Sequence, residues 1–357
     1  MSTRKLERWF WSGVLSCAVI AALSLHFWTR DRAQATDTAL ASSYPALSLE
    51  PISPIPTHLD LDPRKVDLGR KLFHDVRLSH NDSISCASCH NLATGGTDRM
   101  ARSMGINGAI GVINAPTVLN SGFNFSQFWD GRAETLEMQI EGPVQEQSEM
   151  GSTWGEVIRK LNRSQEYVAA FRQIYSDGIR QEHIKDTIAV FERSLYTPNS
   201  RFDRYLRNDR AALTSSEQQG YRLFKSLGCA SCHQGVNVGG NMYQKLGVMA
   251  PYFSDRGHIT KADLGRFNVT GDKEDRYMFK VPTLRNIALT PPYFHDGSVP
   301  TLPEAVKVMA RVQLGVTLSD NDTSDIVAFL ESLTGDLPTN FATAPTLPSG
   351  SFMSKQP

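Results

Sequence analysis

The chain has 357 residues, 40% of them hydrophobic and 21% charged, with 37 basic side chains against 37 acidic ones. This is the composition of an ordinary globular protein, long enough for two modules that each bury a core. Zero net charge with no long block of one sign argues against a nucleic-acid binder, whose surface carries a basic surplus.

In chain order, Arg4, Lys5 and Arg8 precede a largely apolar run from Trp9 to Trp28, followed by Arg30, Asp31 and Arg32. Residues 1–35 therefore read as an export segment. Ala33-Gln34-Ala35 suits cleavage as a signal peptide, while the apolar run of 9–28 is long enough for a retained membrane anchor. Both place the body in the periplasm. Residues 36–63, rich in Ser and Pro, read as an extended linker packed or wrapped on the surface, and 337–357 as a low-complexity tail. Between them the signals are helical. Trp154, Val157, Ile158 and Leu161 keep helical spacing, as do Ile184, Ile188 and Phe191, and Ile326, Phe329, Leu330 and Leu333. Thr214 with Glu217 predicts a capping box for a helix that ends at the second cysteine pair. Strand patterns are few, so a mainly α fold is expected.

The chemistry is carried by two identical pentapeptides, Cys86-Ala-Ser-Cys-His90 and Cys229-Ala-Ser-Cys-His233. That spelling is the attachment signature of c-type haem. Cys86, Cys89, Cys229 and Cys232 would form thioether bonds, and His90 and His233 would ligate iron. A zinc site would need further ligands near each motif, and disulfides leave both histidines unexplained. The surroundings repeat as well. Gly69-Arg-Lys-Leu-Phe73 is echoed by Gly220-Tyr-Arg-Leu-Phe224, Asn114-Ala-Pro-Thr-Val-Leu-Asn120 by Lys280-Val-Pro-Thr-Leu-Arg-Asn286, and Asp130-Gly131 by Asp296-Gly297. Two cytochrome c-like modules, 64–205 and 206–336, account for this order, with about 23 extra residues in the second.

The sixth iron position separates a carrier from a catalyst, since a Met there raises the potential and closes the site. Met309, seven residues after Leu302, is well placed for that role, whereas its counterpart in the first half is Pro143. No histidine occurs between His90 and His183. Met100, Met104, Met138 and Met150 remain alternatives, each read first as a packing residue. One closed, high-potential haem and one open, low-potential haem are thus expected, with a two-electron oxidant as substrate.

These words, together with Phe128-Trp-Asp-Gly-Arg-Ala133 and Pro292-Tyr-Phe-His-Asp-Gly297, closely resemble the bacterial diheme cytochrome c peroxidases from about Leu61 to Thr334. The superfamily also holds the diheme enzyme that matures the tryptophan-derived cofactor of methylamine dehydrogenase. Position by position, the resemblance makes Met309 the axial ligand of the electron-accepting haem, where the maturation enzyme has Tyr. It makes Trp129 the aromatic between the haems, Gln139 and Glu149 the distal pair that positions peroxide and moves its proton, and Asn114 with the carbonyls of Thr290 and Pro292 an inter-haem calcium site. One departure stands out. Many members carry Ser-x-Gly-His, whose histidine blocks the peroxidatic haem until the other is reduced, and here the words are Ser103-Met104-Gly105-Ile106. The first haem is then expected to be five-coordinate or water-ligated even when fully oxidised, unless Met104 or another loop residue replaces the histidine.

The resemblance implies reduction of hydrogen peroxide to water with electrons from a small periplasmic donor, a cytochrome c or a cupredoxin, by a protein expected to be a homodimer and to bind no nucleic acid. The alternatives are a diheme oxidase that modifies a protein or small-molecule substrate, and a two-haem carrier without turnover.

Overall fold

The computed structural model describes residues 50–338 and Phe341. The expected leader or anchor, the linker up to residue 49 and most of the tail lie outside the described residues. All that follows belongs to the unit Pro51–Pro357.

The first half contains α1 (Pro63–Phe73), α2 (Cys86–Cys89), α3 (Leu136–Gln139), α4 (Glu141–Gln145), α5 (Trp154–Asn162), α6 (Gln165–Ile174) and α7 (Gln181–Ser194). Their starts are written in the chain. The Asp62 carboxylate takes the Arg64 amide ahead of Pro63 at the first helical position, and Thr135, Thr153 and Ser164 cap α3, α5 and α6 in the same way. Leu72, Phe73, Ile184, Ile188 and Phe191 form the centre of this half's core. There α1 meets α7 at Gly69, where a Cβ would lie 2.1 Å from the Thr187 carbonyl oxygen.

The second half repeats this crossing. Its elements are α8 (Arg201–Leu206), α9 (Ser215–Ser226), β1 (Tyr243–Lys245), α10 (Tyr252–Arg256), α11 (Phe267–Thr270), β2 (Met278–Lys280), α12 (Leu302–Met309) and α13 (Asp320–Glu331). The capping box of Thr214 and Glu217 opens α9, which ends three residues before Cys229. Gly220 faces α13, where a Cβ would lie 1.9 Å from the Asp325 carbonyl oxygen. The repeated Gly-x-x-Leu-Phe word therefore records one packing rule: the helix before each haem motif touches the backbone of the closing helix at a point that tolerates no side chain. Among the described residues the only strands of more than a single bridge are β1 and β2, paired antiparallel with Tyr243 opposite Lys280.

The surplus of the second half falls between His233 and Lys280. These residues fold into β1, α10, α11 and β2 around a third cluster of Tyr252, Phe253, Phe279 and Val312, onto which Trp129 and Val308 pack.

The described end of the linker packs into the protein. Ile52 and Ile55 are fully buried, and Ile52 pairs with Gly235 beside the second haem motif. Arg285, itself fully buried, pairs with Asp203 at 2.8 Å and donates to the Ser53 carbonyl at 2.9 Å, while Asp203 also takes the Ile55 amide. At the other end, Leu337 and Phe341 pack on the first core, Phe341 edge-on to Phe191. Each half is thus completed by chain that emerges from the other.

Candidate haem sites

In each half the axial histidine candidate is oriented by the same two pieces of backbone. Nδ1 of His90 lies 3.3 Å from the Gly96 carbonyl oxygen, with the Pro116 carbonyl also in reach. Nδ1 of His233 lies 3.4 Å from the Val238 carbonyl oxygen, with Pro282 as the second acceptor. Binding the proton on Nδ1 fixes the tautomer and leaves Nε2 as a lone-pair donor, the arrangement an iron-ligating imidazole needs. Desolvation lowers both pKa values, that of His233 to about 4, against the opposing pull of the carbonyls, so both rings are neutral. The Pro-Thr word is explained here: Thr117 and Thr283 donate to the Gly95 and Asn237 carbonyls, which holds Pro116 and Pro282 over the two rings.

The four motif cysteines are free and partly exposed, so no disulfide joins them. The one group of three metal-type side chains found among the described residues is Asp263, His295 and Asp296, which contains no cysteine. That group is an ion-pair network rather than a cation site. Arg256 bridges Asp263 and Asp296, and Asp263 also takes the Thr260 amide and hydroxyl and Nε2 of His295 at 2.7 Å. Burial alone would raise the Asp263 carboxyl, but Arg256, Thr260 and His295 together hold it far below the usual range. The donor sets at both pentapeptides fit haem c, and zinc or disulfide explanations do not survive.

On the far side of the first pentapeptide, the loop of Ser103 to Ile106 lies directly on Glu149. The Ile106 amide donates to the Glu149 carbonyl at 2.8 Å, and Gly105 is so close that a Cβ would sit 2.0 Å from the Ser148 carbonyl oxygen. Ile106 is buried against Gly151, and the Ser103 hydroxyl, inaccessible to solvent, lies within reach of the Cys89 sulfur. Met100, Met104 and Met138 expose 43%, 50% and 47% of their surface, while Met150 lies in the core. Glu149 is partly buried; desolvation raises its pKa, Glu146 adds to the rise and Arg132 partly offsets it. Gln139 closes α3, partly buried.

Met309 closes α12, whose cap Thr301 matches Thr135 of α3, and a π-helical turn, Ala310–Leu314, follows it. Trp129 joins the halves. Its ring donates through Nε1 to the Asn114 carbonyl at 2.9 Å, its own carbonyl takes the Lys280 amide at 2.8 Å, and it stands edge-on to His295 with ring centres 6.3 Å apart. It shares its cluster with Val308, the neighbour of Met309. The Asn114 side-chain amide lies 2.9 Å from the Met100 carbonyl oxygen and 3.5 Å from that of Pro292, the latter too long for a good hydrogen bond. As placed, the amide nitrogen of Asn114 donates to the Met100 carbonyl rather than turning the side-chain oxygen toward it.

Two residues of these surroundings escape motif reading. Lys280 is buried and its ammonium is destabilised by desolvation, with a pKa near 8. Glu192 is buried on α7. Both were visible only as mismatches inside the repeat, Lys280 standing in the place of Asn114 and Glu192 in that of Leu330.

Two mutually similar pockets, each with two thiols and one imidazole whose Nε2 is free, define a two-haem c-type cytochrome. A family model for di-haem cytochrome c peroxidase matches residues 63–211 and one for cytochrome c matches 217–334. The cytochrome c peroxidase Ccp of Escherichia coli is 50% identical over 287 residues, which cover 80% of this chain but 61% of that protein, so the chain spans less than two thirds of it. The cytochrome c551 peroxidase of Nitrosomonas europaea is 48% identical over 291 residues, 81% of this chain and 85% of its own. A crystal structure of a MauG-like protein associated with microbial copper homeostasis superposes with a TM-score of 0.71 at 28% identity, covering 85% of this chain and 98% of that one. The chain belongs to the bacterial di-haem cytochrome c peroxidase family.

Proposed function

We propose that the protein reduces hydrogen peroxide to water at the first pentapeptide with electrons that a small redox protein delivers at the second. The haems, when bound, supply the iron chemistry that splits the O–O bond. The chain's own part is proton handling and access. Glu149, with its carboxyl raised by partial burial, takes a proton from peroxide and returns it to the departing oxygen. Gln139 orients peroxide by hydrogen bonding, Trp129 is the aromatic link for electrons crossing between the halves, and Met309 caps the second iron. Asn114, with the Thr290 and Pro292 carbonyls, holds calcium beside that link. Export to the periplasm, by a signal peptide or an anchor, a cytochrome c or cupredoxin donor and a homodimeric state complete the reading.

The observation that carries it is the loop of Ser103 to Ile106. Ile106, which the resemblance aligns with a blocking histidine, is buried, carries no ligand atom and donates its amide to the Glu149 carbonyl. The expected behaviour is peroxide-dependent oxidation of a reduced cytochrome by enzyme that has never been pre-reduced, with a high-spin ferric signal in the electron paramagnetic resonance spectrum of the oxidised protein. Two low-spin haems and no reaction with peroxide would leave an electron carrier.

A further inference from the structure

Five carboxylates are buried among the described residues: Asp75, Glu192, Asp203, Glu217 and Asp263. Four have partners that stabilise their charge. Asp75 holds Arg77, Asp203 holds Arg285, Glu217 holds Arg201 and the Thr214 amide, and Asp263 holds Arg256 and His295. Glu192 makes no ion pair and accepts no side-chain hydrogen bond among the described residues. Its neighbour Arg193 turns instead to Glu137, at 2.8 Å.

The position matters because the repeat supplies a control. Gly69 meets Thr187 and Phe191 on α7, and Gly220 meets Asp325 and Phe329 on α13, so the residue after each Phe is equivalent. In the second half it is Leu330, buried in the core as expected for a closing helix. In the first it is Glu192, on the helix whose Ile188, Ala189 and Phe191 belong to the core against which Cys86, the leading cysteine of the first haem motif, packs. An isolated carboxylate in such a place is disfavoured by desolvation, which pushes its pKa up to about 8, with Arg193 pulling it down and Glu137 up.

We infer that Glu192 is the proton acceptor coupled to reduction of the first haem. Ferric iron with the Glu192 carboxylate takes up one electron and one proton, giving ferrous iron with the Glu192 carboxylic acid. The donor protein supplies the electron and water the proton. The physical reason is charge balance: the net positive charge of the ferric centre is what favours the buried carboxylate, and reduction removes it. Other charged groups around α7 are committed elsewhere. On α3, Glu137 pairs with Arg193; on α1, Lys65 pairs with Asp186 and Lys71 with Asp67 and Glu166, while Arg70 lies over the Phe341 ring; on α2, Cys86 is consumed by haem attachment. The segment Ser121–Phe123, also packed on α7, carries no charge.

The inference rests on haem attachment at Cys86 to His90 and not on the open distal face proposed above, so it is tested without peroxide. Spectropotentiometric titration of the holoprotein between pH 6 and pH 9 resolves the two haems. The first haem's midpoint potential is expected to fall with pH at close to one proton per electron, and Glu192→Gln is expected to abolish most of that slope while the second haem's profile is unmoved. Glu192→Leu, which installs the residue its own repeat uses at this position, gives the same result if the amide variant does not fold. A flat profile in the unmodified protein overturns the inference, as does a slope that persists in a folded variant.

Discussion

Glu149 illustrates how packing gives a side chain an acidity that its own letter does not announce. Its pKa is raised because the loop of Ser103 to Ile106 and the turn of Glu146 take it out of water, and Arg132 offsets only part of that cost. A carboxyl tuned upward shares protons readily with peroxide, so Glu149→Gln should lower kcat by about 10²–10⁴-fold. Steady-state turnover checks this, with the absorption spectra of both haems expected to stay unchanged. Among single residues, the haem ligands were the most legible. Cys-x-x-Cys-His is a contiguous word, and its chemistry requires that spacing. Glu149 and Gln139 are proposed only through family resemblance, because partial burial by a distant loop leaves no local trace. Glu192 and Lys280 were passed over for a related reason: a charged letter inside a helix or strand reads as solvated until packing shows where it faces.

The crossings of α1 with α7 and of α9 with α13 set how the haem motifs are held. Both depend on a glycine pressed against a backbone carbonyl. Gly69→Ala or Gly220→Ala should destabilise its half by about 1–3 kcal/mol, because the crossing must open to admit a methyl group. Chemical denaturation monitored at the haem absorption of each half measures this, and an unchanged midpoint would show that the crossing relaxes freely. Helical periodicity located α5, α7 and α13, and the capping box located α9, because amphipathic spacing and caps are local. The short turns were not legible. Asn120 and Asn286 adopt the same left-handed conformation, with φ of 62° and 59°, and Phe128 and Phe294 both have φ of 68°. Their agreement is visible only once the halves are laid over each other. The 23-residue surplus was countable, but its fold into β1, α10, α11 and β2 has too little period to read.

At the scale of the molecule, Trp129 is the one aromatic of the first half that packs into the cluster built by the second half's surplus. Trp129→Phe keeps most of that packing but removes the indole donor to Asn114, so electron transfer from the second haem to the first should slow at least tenfold. Stopped-flow reduction of the second haem, followed by the appearance of reduced first haem, reads this rate directly.

The crossed termini carry a different consequence. Ile52 joins the core that surrounds the second motif and Ile55 is buried beside Asp203, while Leu337 and Phe341 pack on the core that surrounds the first. Duplication of a one-haem ancestor explains the repeat, but the two descendants are no longer separable: a cut anywhere near residue 205 gives two fragments, each holding the other's missing plug. Maturation is expected to follow suit: Leu337 and Phe341, which cover the first core, leave the ribosome only after the whole second half.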